Sequence, residues 1–237
     1  MARRFAFLLS IILPISASDR LLLAASNIRL QPPVTSSAFF QLTNIWTAHF
    51  TFEREQWRAM QATEEDGAGP RGWGQNGPNL IGRPGTRNGL SSVRGVVFNY
   101  AHASLEIAGT NFPKVAVRYK GNGTWFRSSG NLKQSLKVDL NEFNKKLKLA
   151  GVSMLNFHTE VSDPAWMNEA LSYQLYRDAK VPSPRVAYAK AYLTIRGGYQ
   201  HRYLGLYSIV ENIDHHFLKE NFGAKEGAIF KPVGPDL

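Results

Sequence analysis

Cysteine is absent from all 237 residues, which excludes disulfides, thiolate metal sites and cysteine nucleophiles. A long apolar run is missing as well. Phe5 to Ile15 is the stretch that invites a membrane reading, and its eleven residues, with Pro14 among them, are too few to span a bilayer. Acidic residues are scarce: 18 Asp and Glu stand against 28 Lys and Arg, for a formal charge of +10. The basic residues are scattered rather than clustered, and aromatics are not interleaved with them, so a nucleic-acid surface is not expected. No internal repeat is visible. The charge balance suits acidic partners such as phosphates, anionic polymers or acidic proteins, and a merely solvated basic surface stays open beside that.

Apolar residues make up 43% of the chain and aromatics 12%, enough for a packed core and against general disorder. Arg3 and Arg4, the apolar run and then Ser16-Ala17-Ser18 form the pattern of a secretory signal peptide. Residues 1–18 are therefore expected to be removed on export, which lowers the charge from +10 to +8. Residues 19–44 read as a linker and 45–237 as one domain, interrupted at 67–89 by a mobile insertion rich in Gly, Pro and Asn.

Within the domain, Ile45 to Phe52 alternates as a strand, and Glu53 to Met60 has helical spacing. Val115, Val117 and Tyr119 share one strand face, with Arg118 and Lys120 on the other. Leu136 to Leu140 alternates again and puts Lys137 and Asp139 outward. A helix is expected from Pro164, with Asp163 as its cap and Met167, Ala170, Leu171 and Leu175 as its buried stripe. Val186–Ile195 and Tyr203–Val210 form a hairpin through Gly197-Gly198, and Asp214 caps a short helix closed by Gly223. Ala228 to Lys231 reads as a last strand.

Strands, a lysine-bearing strand, a helix with a glutamate, two strands and a polar connector follow the order of a protein kinase's small lobe. In that arrangement Lys137 meets nucleotide phosphates and Glu169 fixes its direction. A solvated lysine on an outer strand face is the competing reading. His215-His216 is too close-set for one metal centre, and Asp139 with Glu142 reads as solvated rather than as an acid pair.

Longer motifs carry a more specific signal. Val117 to Thr124, Leu136 to Asn141, Ser162 to Glu169, Val181 to Arg185, Tyr203 to Glu211, Phe217 to Lys219 and Lys231-Pro232 occur in order. Together they resemble the spore-coat protein H (CotH) kinase family over about Trp46 to Pro235. The resemblance implies an α+β, protein-kinase-like small lobe, an antiparallel sheet with one main helix and the large lobe missing. It implies ATP with Mg²⁺ as cofactors and serine phosphorylation of secreted or coat proteins at the cell surface or beyond it. Lys137 and Glu169 then take the nucleotide-facing roles, and Glu211 to Asp214 form a hinge against adenine. Lys120 and Asn122 belong to a family motif without an assigned role. The family's catalytic and metal-binding aspartates lie in a later block, so the residues up to Leu237 are expected to bind nucleotide without transferring phosphate. The alternative is a non-catalytic surface or spore-coat adhesion module.

Overall fold

Alternation of apolar and polar residues sets which side of each strand faces the core, and here the strands wrap that core completely. The computed structural model describes residues 34–64, 73–74, 77–78, 89, 95–121, 123–128, 130–223 and 227–230. The expected signal peptide, most of the 67–89 insertion, Asn122 and the chain beyond 230 lie outside them.

Helix α1 (Ser36–Phe39) precedes β1 (Ile45–Phe52) and α2 (Arg54–Ala59). Four two-residue strands follow, β2 (Thr63–Glu64), β3 (Trp73–Gly74), β4 (Gly77–Pro78) and β5 (Val96–Val97). Then come β6 (Ala101–Ile107), β7 (Thr110–Tyr119), α3 (Gly123–Ser128), β8 (Leu136–Asp139) and β9 (Met154–His158). The remaining elements are α4 (Asn168–Asp178), β10 (Val186–Ile195), β11 (Arg202–Glu211) and α5 (His215–Phe222).

Seven of these strands close into a barrel in the order β1-β10-β11-β9-β8-β7-β6. The closure corrects the expected fold class: the sheet is a mixed, closed barrel with short helices outside it, not an antiparallel kinase-like small lobe built around one main helix. Two pairings of β1 make the difference. It runs parallel to β10, from Ile45 opposite Tyr188 to Phe52 opposite Ile195, and antiparallel to β6 on its other edge. Closure gives every strand of the barrel a neighbour on both sides, although β11 runs on past the end of its pairing with β9.

Inward residues fill the barrel: Phe50, Leu105, Val115, Val117, Val138, Leu155, Phe157, Tyr207 and Ile209 are all buried. Phe157 meets Phe50 edge-on at 5.3 Å and Tyr207 at 6.1 Å. Such aromatic pairs add about 0.5–1.5 kcal/mol each beyond area burial. The segment expected as a linker contributes Phe39, fully buried and stacked 5.7 Å from Trp46.

Three further expectations need adjustment. Helix α4 begins at Asn168, because Asp163 first closes a turn by accepting from the N–H groups of Ala165 and Asn168. Its buried contacts run through Ala170 and Tyr173, whereas Leu171 and Leu175 are 46% and 69% exposed. Residues 228–230 form no strand, and Phe230 is exposed. By contrast, Asp214 caps α5 as expected, accepting from His216 and Phe217 N–H, and Gly223 ends it in the left-handed conformation.

Candidate functional site

The outward faces of β7, β8 and β9 form the floor of the site. Arg118, Lys137 and Asn156 stand directly opposite one another across these strands, and Asn156 faces Val210 of β11. Their neighbours Val117, Val138, Leu155 and Phe157 point into the barrel, so the alternation of each strand is what turns the polar set outward. Lys120 lies just past β7, tied to the sheet by its N–H to Ser135 O at 2.9 Å. Gly121 follows with φ of 117°, where a Cβ would sit 2.6 Å from Thr124 Oγ1, so only glycine fits this bend.

These residues line a cleft of about 330 Å³ that Arg118, Lys120, Lys137, His158, Glu211 and Asn212 share. Arg118 and Lys137 put two like charges directly opposite each other, an arrangement that by itself destabilises a sheet, and Lys120 adds a third cation to the cleft. Each lysine is held in place. Lys137 Nζ donates to Asn212 Oδ1 at 3.1 Å. The Asn212 amide is itself oriented, since its Nδ2 donates to Asp214 Oδ2 at 2.9 Å. The cap of α5 thereby fixes the acceptor that Lys137 meets.

Lys120 is held by a relay. Its Nζ lies 2.5 Å from His158 Nε2, and His158 Nδ1 lies 2.7 Å from Glu169 Oε2. An ammonium can only donate and a carboxylate can only accept, so the imidazole is neutral with its proton on Nδ1. Burial lowers the His158 pKa, and the Lys120 charge adds to that, against the pull of Glu169. Burial works to raise the Glu169 carboxyl, but the hydrogen bonds from His158 and Glu160 and the nearby Lys120 charge outweigh it and hold it below its ordinary value.

Glu169 therefore connects to Lys120, through His158, and not to the Lys137 that the sequence reading paired with it. No ion pair joins Glu169 to Lys137. Both lie on the outer side of the barrel, and Tyr173, one turn after Glu169, lines the Lys137 cleft. Glu211 has a different occupation. It is 3% exposed, with both carboxylate oxygens on Arg185, at 2.5 Å from Nη2 and 2.9 Å from Nε. Its N–H donates to Arg185 O, so this residue locks the connector rather than facing the cleft with a free group. Asn122 lies outside the described residues. Asp139 is buried and accepts from Asn141 N–H, while Glu142 pairs with Lys145 at the surface, so the two form no acid pair.

His158 was not anticipated, because β9 was not recognised as a strand. The signal was there in Leu155-Asn156-Phe157-His158, which alternates inward and outward.

Residues 117–235, half of the chain, match the family described as CotH kinase protein. The chain belongs to the CotH kinase family. No curated protein matches it. Arg118, Lys120, Lys137, His158, Glu169 and Asn212 all fall within the CotH-matched range, whereas β1 and β6, which complete the barrel, precede it.

The neighbouring carboxylates bear on metal use in this CotH domain. Donor atoms of His158, Glu160 and Glu169 lie within 4.8 Å of one another. Glu160 sits at φ of 53° and accepts from Ser208 Oγ at 2.7 Å. Burial pushes its carboxyl up to about 7, and the Glu169 and Asp163 charges add to that against the Ser208 hydrogen bond. Mg²⁺ prefers a shell of oxygens. This set offers an imidazole whose two nitrogens are taken by Lys120 and Glu169, and carboxyl oxygens from only two residues, so it does not fit Mg²⁺. Glu211, His216 and Glu220 are close as well, but Arg185 already sits between the two carboxylates. Among the described residues, no helix is long and apolar enough to cross a membrane.

Proposed function

We propose that the cleft between β7, β8, β9 and the β11–α5 connector binds the phosphates of ATP. The domain is then the nucleotide-binding portion of an exported, atypical serine kinase whose substrate is a secreted or coat protein. The observation that carries this reading is the row of Arg118 and Lys137 directly opposite each other with Lys120 beside them. A polyanion lying between these side chains converts their mutual repulsion into attraction, and phosphate chemistry relies on charge placed before the ligand arrives. The Asn212 and His158–Glu169 restraints supply that placement. With Glu211 engaged by Arg185, adenine contact falls to the backbone of Asn212 and Ile213, which line the same cleft. Family membership supports nucleotide use in general. The charged and apolar start of the chain supports export.

Titration with a fluorescent ATP analogue tests the reading, comparing wild type with Lys137→Ala and Glu169→Gln. Saturable binding that weakens about tenfold or more in Lys137→Ala is the expected result. Unchanged binding in that variant removes Lys137 from the site. A protein indifferent to nucleotide favours the non-catalytic adhesion module.

A further inference from the structure

On the other side of the Thr159–Asp163 loop from Lys120 lies a larger cavity of about 560 Å³, lined among others by Lys133, Glu160, Asp163, Trp166, Arg202 and Tyr203. Its floor is built around one ammonium. Lys133 Nζ donates to Thr159 O at 3.0 Å and lies 4.1 Å from the Trp166 ring centre and 5.3 Å from that of Tyr207. Trp166 holds φ of 59°, and Gly205 holds φ of 125°, where a Cβ would come within 3.2 Å of Lys133 Cε. An unusual backbone at both positions thus makes room for this side chain.

Two cations, Lys133 and Arg202, line the cavity beside the carboxyls of Glu160 and Asp163. Among the described residues, no carboxylate forms an ion pair with Lys133 or with the exposed Arg202. Both Asp163 oxygens are spent on the N–H groups of Ala165 and Asn168. Glu160 is bonded by Ser208, and burial pushes it up to about 7, so it carries less than a full charge near neutrality. Burial lowers the Lys133 pKa, against the pull of the nearby Glu160 carboxyl, which works to raise it.

One wall is an open strand edge. β11 pairs with β9 only from Ser208 to Glu211. From Arg202 to Tyr207 it is paired on the β10 side alone among the described residues. That half of β11 runs into the cavity through Arg202, Tyr203 and Leu204, and Tyr203 is 51% exposed. An edge of this kind offers backbone donors and acceptors to an added strand, with side-chain pockets for alternate residues.

We infer that the free edge of β11 binds an extended acidic peptide, whose carboxylates meet Lys133 and Arg202 and whose apolar side chains pack on Tyr203. An acidic sugar would satisfy the two cations but has no use for the strand edge, so the edge favours the peptide. The inference stands apart from the nucleotide reading, since it shares none of Arg118, Lys120 and Lys137.

The test is fluorescence anisotropy of the full chain with a labelled peptide of alternating Glu and Val, roughly six residues long to match the edge. Saturable binding is expected, and it weakens about tenfold in Lys133→Gln and in Arg202→Gln. A peptide N-methylated along one edge loses the same binding. Arg202 is exposed, so Arg202→Gln carries the test alone if Lys133→Gln fails to fold. Absence of saturation up to about 1 mM overturns the inference. So does equal binding of the N-methylated peptide, of a Lys and Val peptide, or of oligogalacturonate, which would identify the cavity as an anionic sugar site instead.

Discussion

Replacing His158 by alanine severs both halves of the Lys120–Glu169 connection at once. The imidazole accepts from Lys120 at 2.5 Å and donates to Glu169 at 2.7 Å. Hydrogen bonds to charged groups contribute about 1.5–3 kcal/mol each. Their loss is partly offset, because the Glu169 side chain is 24% exposed and water can take up part of the freed hydrogen bonding. The expected net cost is about 2–3 kcal/mol, a large share of the 5–15 kcal/mol typical of a domain but short of unfolding it. Urea unfolding followed by tryptophan fluorescence at pH 7.5 reads this as a lower midpoint with an unchanged slope. His158→Gln recovers roughly half, since one amide can both accept and donate. The pH dependence provides a second readout. The native pKa of His158 is lowered, so its contribution is fully present above about 6.5 and fades as pH falls through the native value. The alanine variant lacks that component. A cost under about 0.5 kcal/mol, with the wild-type pH profile retained, refutes the relay.

Glu160 has the opposite sign. Its native carboxyl is raised to about 7, so it costs stability as pH rises from about 4.5 to 7. Glu160→Gln should therefore gain about 1 kcal/mol at pH 8, a figure reduced for solvent screening, with no gain at pH 4 in the same melt. Arg185→Met leaves the buried Glu211 uncompensated and should lose about 3–5 kcal/mol in chemical unfolding. Phe157→Ala empties the barrel centre, where Phe50 and Tyr207 meet it, and should also lose about 3–5 kcal/mol. It serves as a control, because nucleotide affinity of the remaining folded protein should not change.

Local pattern and long-range pairing differ in how far they can be read from residues. Val115 to Lys120 and Leu136 to Asp139 show their inward and outward faces directly, which is why Lys120 and Lys137 were legible as outward cations. Asp214 and Gly223 were legible for the same local reason, a capping side chain and a left-handed stop. Barrel closure was not, since alternation in Ile45 to Phe52 shows a strand but not that its partner is the distant β10, in parallel. β9 escaped notice because only Leu155 and Phe157 mark it, between a lysine-rich loop and a polar turn, and His158 was lost with it. In α4 the expected stripe of Met167, Ala170, Leu171 and Leu175 is buried only at Ala170, where a small residue lets the helix approach β10 closely, and Tyr173 packs beside it instead of the leucines. Periodicity identifies a face but not the surface that will cover it.

The most direct measurement is a crystal structure of the protein with a non-hydrolysable ATP analogue. Electron density for the triphosphate within hydrogen-bond reach of Arg118, Lys120 and Lys137, with the base beside Ile213, is the predicted result. Triphosphate density elsewhere, or none in crystals soaked to saturation, contradicts the assignment of this cleft.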